Sequence, residues 1–148
     1  MNVAGYGDAY ASALDIEIEP GFQVKVVSLA AMAVLKILAW NDRPERDKHA
    51  SDVLLVLRSY HQAGQFDRIY DEALDLLEQY DYEIEVAGAA LLGIDAKRDI
   101  AVEARTQVTQ VFASERNFDK FVVQMVRSSS GTVAHARRLI RAFLDNIG

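Results

Sequence analysis

Apolar and polar residues alternate strictly near the start of the chain. The run ALDIEIE at residues 13–19 places apolar and acidic side chains on opposite faces, which is the pattern of a strand with one solvated face. Pro20 and Gly21 favour a turn, and the β-branched run QVKVV at residues 23–27 predicts a second strand. We therefore expect a hairpin, or two neighbouring strands, in this part of the chain.

A helical pattern replaces the alternation after Ser28, a residue type that caps the N-termini of helices. The next stretch, LAAMAVLKILAW at residues 29–40, is apolar on all sides apart from Lys36 and so predicts a buried helix. Six further stretches repeat apolar residues at the three- and four-residue spacing of an amphipathic helix, namely 46–60, 66–77, 82–92, 101–112, 118–126 and 133–147.

Together these patterns predict a mainly α fold of about seven packed helices with a short N-terminal β-hairpin or strand pair. We expect a single domain over residues 1–148, with the β element at 1–27 and a helical bundle at 28–148. Gly88 belongs to a small-residue face that lets two helices approach closely. Gly93 stands where a glycine ends a helix, so it is predicted to be a C-cap.

Composition excludes several classes of protein. Cysteine is absent, which rules out disulfides and thiolate metal sites. No apolar run reaches the ~20 residues of a membrane-spanning helix, and the first ten residues lack the features of a signal peptide. A net charge of −6 argues against a broad nucleic-acid surface. We expect a cytoplasmic protein without membrane contact that does not bind nucleic acid on its own.

Lys36 needs a partner because it is the one ionisable residue in an apolar helix. An unpaired buried charge costs several kcal/mol, so the ammonium must meet a carboxylate, reach water or hold an anion. The following segment supplies Asp47 and Asp52. An ion pair with one of them, holding two helices in register, is the favoured interpretation, and a phosphate contact is the alternative.

Arg43, Arg46 and Lys48 form a small basic cluster in the same segment. The cluster is either a solvated loop balanced by nearby acids or an anion site at the N-terminus of the next helix. His49 and His61 have no third donor at metal-ligand spacing, so no metal site is predicted from them.

Two strings carry a family resemblance: SLAAMAVLKILAWNDRPERDKHASDVLLVLRSY at residues 28–60 and ALDLLEQYDYEIEVAGAALLGIDAKRDIA at residues 73–101. They resemble the C-terminal portion of predicted nucleotidyltransferases of the AbiEii/AbiGii toxin type, within the DNA polymerase beta-like superfamily. The resemblance extends over residues 24–148. It implies a helical back half of a phosphate-handling fold, with a possible place in a toxin–antitoxin system.

Families of this kind carry a Lys-Asp-x-x-Asp element after the apolar helix, close to the nucleotide. The matching residues here are Lys48 and Asp52, and His49 replaces the first aspartate. The resemblance implies that these two residues, with Lys36 and Arg46, surround the phosphates of a bound nucleoside triphosphate.

The same superfamily places a Gly-Ser loop on the triphosphate and an acid-x-acid pair on a following strand, where it holds two divalent metal ions. This chain has no Gly-Ser pair, and its nearest substitute is Gly7-Asp8. Asp15 and Glu17 are the nearest acid pair and are the candidate catalytic residues, since alternate strand residues point the same way. The other interpretation is that this strand matches a later acidic strand and that the catalytic head is missing.

Three functions follow from these observations. The favoured one is a non-catalytic or split helical module, which completes a catalytic head supplied by another chain or binds a protein partner such as an antitoxin. The alternative is an active nucleotidyltransferase that transfers a nucleoside monophosphate from an NTP. Mg²⁺ and the NTP are cofactors only in that case. The third is a homodimer formed through apolar residues of the last helices.

Overall fold

The computed structural model describes residues 6–148, apart from the side chain of Asp8. Residues 1–5 of the predicted β element and the Asp8 side chain therefore lie outside the described residues. The elements are α1 (Tyr6–Ala11), β1 (Leu14–Glu19), β2 (Phe22–Val26), α2 (Leu29–Asp42), α3 (Lys48–Ser59), a 3₁₀ turn (Tyr60–Gln62), α4 (Phe66–Asp71), α5 (Leu74–Gln79), α6 (Ile84–Asp99), α7 (Val102–Val111), α8 (Glu115–Val126) and α9 (Val133–Ile147).

The mainly α prediction is confirmed. The described part of the chain has nine α-helices, because α1 precedes the hairpin and the predicted helix at 66–77 is divided into α4 and α5. No helix within residues 6–148 combines the length and the apolar character that crossing a bilayer requires.

The N-terminal hairpin is confirmed, with its strands antiparallel and joined at the predicted turn. Gly21 adopts φ +82°, a conformation that glycine reaches without strain. Leu14 pairs with Val26 and Ile16 with Val24, so these four side chains form an apolar face. The alternate residues form the polar face, on which Asp15 pairs with Lys25 and Glu17 with Gln23.

Helix α2 begins at the predicted cap, where the Ser28 hydroxyl accepts a hydrogen bond from the Ala31 backbone N–H at 3.2 Å. Its apolar surface is buried as expected, with Trp40 edge-on to Phe121 at 5.0 Å between ring centroids. The Trp40 indole N–H donates to Gln124 Oε1 at 2.5 Å, so helices α2 and α8 are joined by a buried hydrogen bond as well as by packing.

Helix α6 is the central helix and packs closely against α9. The C-cap prediction for Gly93 is wrong, because α6 continues through this glycine to Asp99. A Cβ atom at position 93 would overlap the carbonyl oxygen of Phe143 on α9, and one at Gly88 would lie 3.0 Å from the Cβ of His61. The close approach of α6 and α9 therefore occurs at Gly93, inside the helix, whereas Gly88 packs against His61 of the 3₁₀ turn.

Candidate functional site

Lys36 leaves α2 and pairs with Asp52 on α3. The distance from Lys36 Nζ to Asp52 Oδ2 is 2.6 Å, and the two side chains are 30% and 32% exposed. The predicted ion pair is therefore confirmed with Asp52, while Asp47 lies 3.5 Å from Arg127 at the end of α8. Because both groups keep access to water, the pair contributes at most about 1 kcal/mol to stability. Its main effect is to hold α2 and α3 in register.

His49 lies beside this pair in the first turn of α3. Its Nδ1 atom is buried and has no hydrogen-bond partner within residues 6–148. Burial lowers the pKa of His49 below its ordinary value of 6.5, and the charge of Lys36 lowers it further, while Asp52 opposes the shift. The imidazole is therefore predominantly neutral at neutral pH.

Arg46 and Lys48 are exposed near the same imidazole, where their charges also lower the pKa of His49. Neither has a carboxylate within salt-bridge distance among residues 6–148. A cavity of about 480 Å³ opens beside the imidazole, lined by Tyr6, Ala39, Asp42, Arg43 and His49. The structure thus brings Lys36, Arg46, Lys48 and Asp52 into one region around His49; we call residues 43–52 together with Lys36 the charged turn.

Asp15 and Glu17 share the polar face of the hairpin, and each has a partner inside the hairpin. Asp15 Oδ1 lies 3.2 Å from Lys25 Nζ, and a Glu17 carboxylate oxygen accepts the Gly21 backbone N–H at 2.8 Å. Within residues 6–148, neither acid forms a hydrogen bond or an ion pair with the charged turn. Their catalytic role stays a prediction, and the geometry of the described residues gives both acids a structural task.

The donor side chains of the described residues do not gather into a metal site. Within residues 6–148 no group of three or more His, Asp or Glu side chains is close enough to hold an ion. Asp15 and Glu17 alone do not complete a set for Mg²⁺, which takes octahedral oxygen ligands. The described residues therefore do not form the two-metal centre of a nucleotidyltransferase by themselves.

A buried carboxylate on α6 forms a second polar cluster, which the sequence did not reveal. Asp95 is 3% exposed, and the Arg68 guanidinium donates to both of its oxygens at 3.0 Å. The Tyr60 hydroxyl donates to the same carboxylate, and Arg98 lies 2.9 Å from it. We call Asp95, Arg68, Tyr60 and Arg98 the Asp95 network; it ties α6 to α4 and to the 3₁₀ turn.

The electrostatics of the Asp95 network favour ionised aspartate. Burial opposes ionisation, but the hydrogen bonds from Arg68 and Tyr60 and the charges of Arg68 and Arg98 outweigh it, so the pKa of Asp95 is lowered. Burial, and then the hydrogen bond to Asp95, raises the pKa of the Tyr60 phenol. Every polar group here has a partner, so the network is a structural clamp. A cleft of about 240 Å³ opens beside it, at the base of the hairpin.

The hairpin carries the largest group of exposed apolar side chains. Of the 17 exposed large apolar residues in the described part of the chain, eight lie within residues 6–27: Tyr6, Tyr10, Leu14, Ile16, Ile18, Phe22, Val26 and Val27. All six residues of β1 are exposed, and only Val24 of β2 is half-buried. The apolar face defined by Leu14 and Ile16 is therefore uncovered within residues 6–148.

These three features differ in what they can do chemically. The Asp95 network is fully paired, the charged turn presents the three cations Arg43, Arg46 and Lys48 to solvent, and the hairpin presents an apolar face with open strand edges. Only the last two are available to a ligand or a partner. Comparison with protein-family models, with curated proteins and with solved structures gave no match for this chain.

Proposed function

We propose that the chain is a nucleotidyltransferase-like helical module without a catalytic head, which acts in the cytoplasm. Another polypeptide supplies the head, and the N-terminal hairpin of this chain pairs with the β-sheet of that head. The observation that carries the proposal is the uncovered apolar face of the hairpin. The resemblance to AbiEii-type nucleotidyltransferases supplies the kind of head, and an antitoxin is a further partner within the same proposal.

An isolated two-stranded hairpin is only marginally stable in water, and further strands or a packed helix are needed to stabilise it. Here Leu14 is 59% exposed and Ile16 is 43% exposed, so the hairpin has not obtained this packing from the helical body. Each fully buried aliphatic side chain contributes about 1.5–3 kcal/mol. A partner sheet that covers this face would therefore gain several kcal/mol from the two side chains together with Ile18 and Phe22.

The strand edges support the same conclusion. The sheet of the described residues has only two strands, so β1 and β2 each have one edge without a neighbouring strand. Such an edge presents unpaired backbone N–H and C=O groups and is a template for pairing with another chain. Adding strands in this way is a common mode of recognition, in which main-chain hydrogen bonds provide affinity and side chains provide specificity.

The charged turn is the part of this module that would line an active site shared with the head. Lys36 and Asp52 satisfy each other, which leaves Arg43, Arg46 and Lys48 to face a ligand that the head would hold. Lys48 is the first residue of α3, and the Asp47 side chain does not cap this helix. The first backbone N–H groups of α3 therefore add a partial positive charge at the same place.

The enzymatic alternative is favoured by one observation, the position of Asp15 and Glu17 on a single face of the hairpin. Both carboxylates would have to exchange their present partners, Lys25 and the Gly21 N–H, for metal ions. The homodimer alternative has less support, because α8 and α9 expose only Val123 and Val133 among their large apolar residues. The hairpin is the better candidate surface.

The test compares the chain alone with the chain co-expressed with the products of neighbouring reading frames. We expect no change in melting temperature when ATP, GTP, CTP or UTP is added with Mg²⁺ to the chain alone. The melting temperature of the complex should rise when nucleotide is added, since a ligand at 100 times its dissociation constant adds about 2.7 kcal/mol of stability. A shift with the chain alone would replace this proposal with the enzymatic alternative.

A matched pair of variants locates the interface. The double substitution Leu14→Ser and Ile16→Ser removes two side chains of the apolar face and should abolish the complex. Leu55→Ser removes an equally exposed leucine, 67% exposed on α3, and should leave the complex unchanged. Complex formation that survives the hairpin substitutions would contradict the proposal.

A further inference from the structure

We infer that the partner pairs with the free edge of β1 through a strand in which apolar residues alternate with lysine or arginine. This inference rests on the proposed function and specifies the chemistry of the partner. It depends on how charge is distributed over the two strands of the hairpin.

The negative charge of the hairpin is concentrated on β1. This strand carries Asp15, Glu17 and Glu19, whereas Lys25 is the one charged residue of β2. All four side chains are exposed. The edge that β1 offers to a neighbouring strand is therefore acidic, and the edge of β2 is not.

The hairpin does not neutralise this charge internally. Lys25 lies 3.2 Å from Asp15, and its ammonium also lies over the ring of Tyr10 at 5.3 Å. Glu17 is held by the Gly21 backbone N–H, and no salt bridge is formed by Glu17 or Glu19 within residues 6–148. Within residues 6–148, the carboxylates of Glu17 and Glu19 thus have no cationic partner.

The charge of β1 determines which strands can pair with it, because side chains on adjacent strands lie opposite each other. Residues directly opposite each other on adjacent strands have Cβ atoms about 4.5–5.5 Å apart, and opposite charges stabilise the pairing while like charges weaken it. A strand next to β1 would place its own side chains opposite Asp15 and Glu17. Basic residues at those positions would pair with the acids, and the alternate apolar residues would extend the face formed by Leu14 and Ile16.

The β1 strand of a second copy does not fit the same edge. Two β1 strands side by side would bring acids against acids, because neither strand contains a base. Like charges at close range cost free energy and favour a different partner. The β2 strand of a second copy would bring a single base, Lys25, which already pairs with Asp15 of its own hairpin. The distribution of charge therefore points to a foreign strand, basic on one face and apolar on the other.

The experiment uses two synthetic peptides as probes for the whole folded chain. Each has about eight residues, within the usual length of a strand, and alternates valine with lysine in one peptide and valine with glutamate in the other. Binding is followed by the shifts of backbone amide signals in NMR spectra. We expect the lysine peptide to bind at least about tenfold more tightly, since several cross-strand charge pairs act together, and to shift the amides of β1 more than those of β2.

A charge-exchange variant provides the decisive comparison. Asp15→Lys with Lys25→Glu exchanges the two ends of the ion pair, and Glu19→Lys in the same chain makes the charge of β1 positive. This variant should prefer the glutamate peptide. Glu78→Lys on the exposed side of α5 changes the net charge of the chain by the same amount and should keep the preference for lysine.

Three results with peptide overturn the inference: equal binding of the two peptides, binding of neither, or an unchanged preference in the exchange variant. A fourth is a change in the NMR signals of β1 that grows with protein concentration in the absence of peptide, since it would indicate pairing with a second copy. Failure here is distinguishable from failure of the proposed function. A complex that still needs Leu14 and Ile16 while the peptides show no preference removes this inference alone. A complex that ignores the hairpin removes both.

Discussion

The helical body and the N-terminal hairpin contain the same kinds of apolar residues and use them differently. In the body the largest apolar side chains, such as Trp40, Phe121 and Phe143, are fully buried. In the hairpin Ile18 and Phe22 are about as exposed as Leu14. Apolar burial stabilises the body on folding, whereas the apolar side chains of the hairpin stay exposed within residues 6–148 and add little to its stability.

Ionised groups show the same difference between the two regions. The carboxylate of Asp95 is buried and receives hydrogen bonds from Arg68 and Tyr60, which come from other elements of the body. The carboxylate of Asp15 is 57% exposed and meets a single lysine across the hairpin. Buried pairs are costly to break and exposed pairs are not, so substitutions should separate the regions by the size of their effect.

The largest effect is expected for Asp95→Ala. This change leaves Arg68 and the Tyr60 hydroxyl without their buried partner, and we expect the free energy of unfolding in urea to fall by about 3 kcal/mol. Arg68 keeps some contact with water, which places the value at the lower end of the range for buried pairs. Asp15→Ala is the matched change in the hairpin and should cost less than about 0.5 kcal/mol. Equal effects would contradict the distinction between the regions.

The pH dependence of the same carboxylate gives a second measurement. The pKa of Asp95 lies below 3.8 in the folded chain, so folding favours its ionised form. This stabilisation is fully present above pH 3.8, the ordinary pKa of aspartate, and it is lost as the pH falls through the lower pKa of the folded state. The difference in unfolding free energy between the wild type and Asp95→Asn should therefore be constant between about pH 5 and 7 and shrink in stronger acid. A difference that grows in acid would reverse the sign of the argument.

Gly93→Ala should have the next largest effect, because the added Cβ would overlap the carbonyl oxygen of Phe143. Helices α6 and α9 would have to separate, at a cost of about 1–3 kcal/mol. Lys97→Ala changes an exposed position of the same helix and should be neutral within about 0.5 kcal/mol. Thermal unfolding of the two variants tests whether the body is packed as tightly here as the structure shows, and equal melting temperatures would contradict it.

The features that could be predicted from the sequence are those with local causes. Strict alternation identified the hairpin, and the side chain of Ser28 caps α2 within its own first turn. The Lys36–Asp52 pair spans only 16 residues, and the segment after the apolar helix is rich in acids, which made a carboxylate partner the natural expectation.

The features that could not be predicted depend on contacts distant in the sequence. Asp95 meets Arg68 and Tyr60 across 27 and 35 residues, and no spacing in the chain indicates that α4 and the 3₁₀ turn end beside α6. Gly93 was misread for the same reason. Its role is set by Phe143 on α9, and a glycine inside a helix looks like a C-cap when the neighbouring helix is unknown.

The Lys36–Asp52 pair of the charged turn is less buried than the Asp95 network and less exposed than the Asp15–Lys25 pair, and Lys36→Met tests its contribution. Loss of a half-exposed ion pair should lower the free energy of unfolding by about 0.5–1 kcal/mol. The pKa of His49, measured by NMR, should rise toward 6.5 because one of the charges that lowers it is removed, and it should stay below that value because burial remains. Arg58→Met removes a cation of α3 that pairs with Glu85, and it should leave the pKa of His49 unchanged. An unchanged value in Lys36→Met would show that the ammonium does not lie beside the imidazole.

The smallest effect on stability is expected in the hairpin, where Ile16→Ser should change the free energy of unfolding by less than about 0.5 kcal/mol. The control is Ile37→Val in the body, where the loss of one fully buried methylene should cost about 0.5–1.5 kcal/mol although the change is chemically milder. A hairpin substitution that abolishes the complex while leaving the chain as stable as before would show that the apolar face acts in association. If instead Ile16→Ser destabilises the isolated chain more than Ile37→Val does, the face already belongs to the core of the body, and the proposed function loses the observation on which it depends.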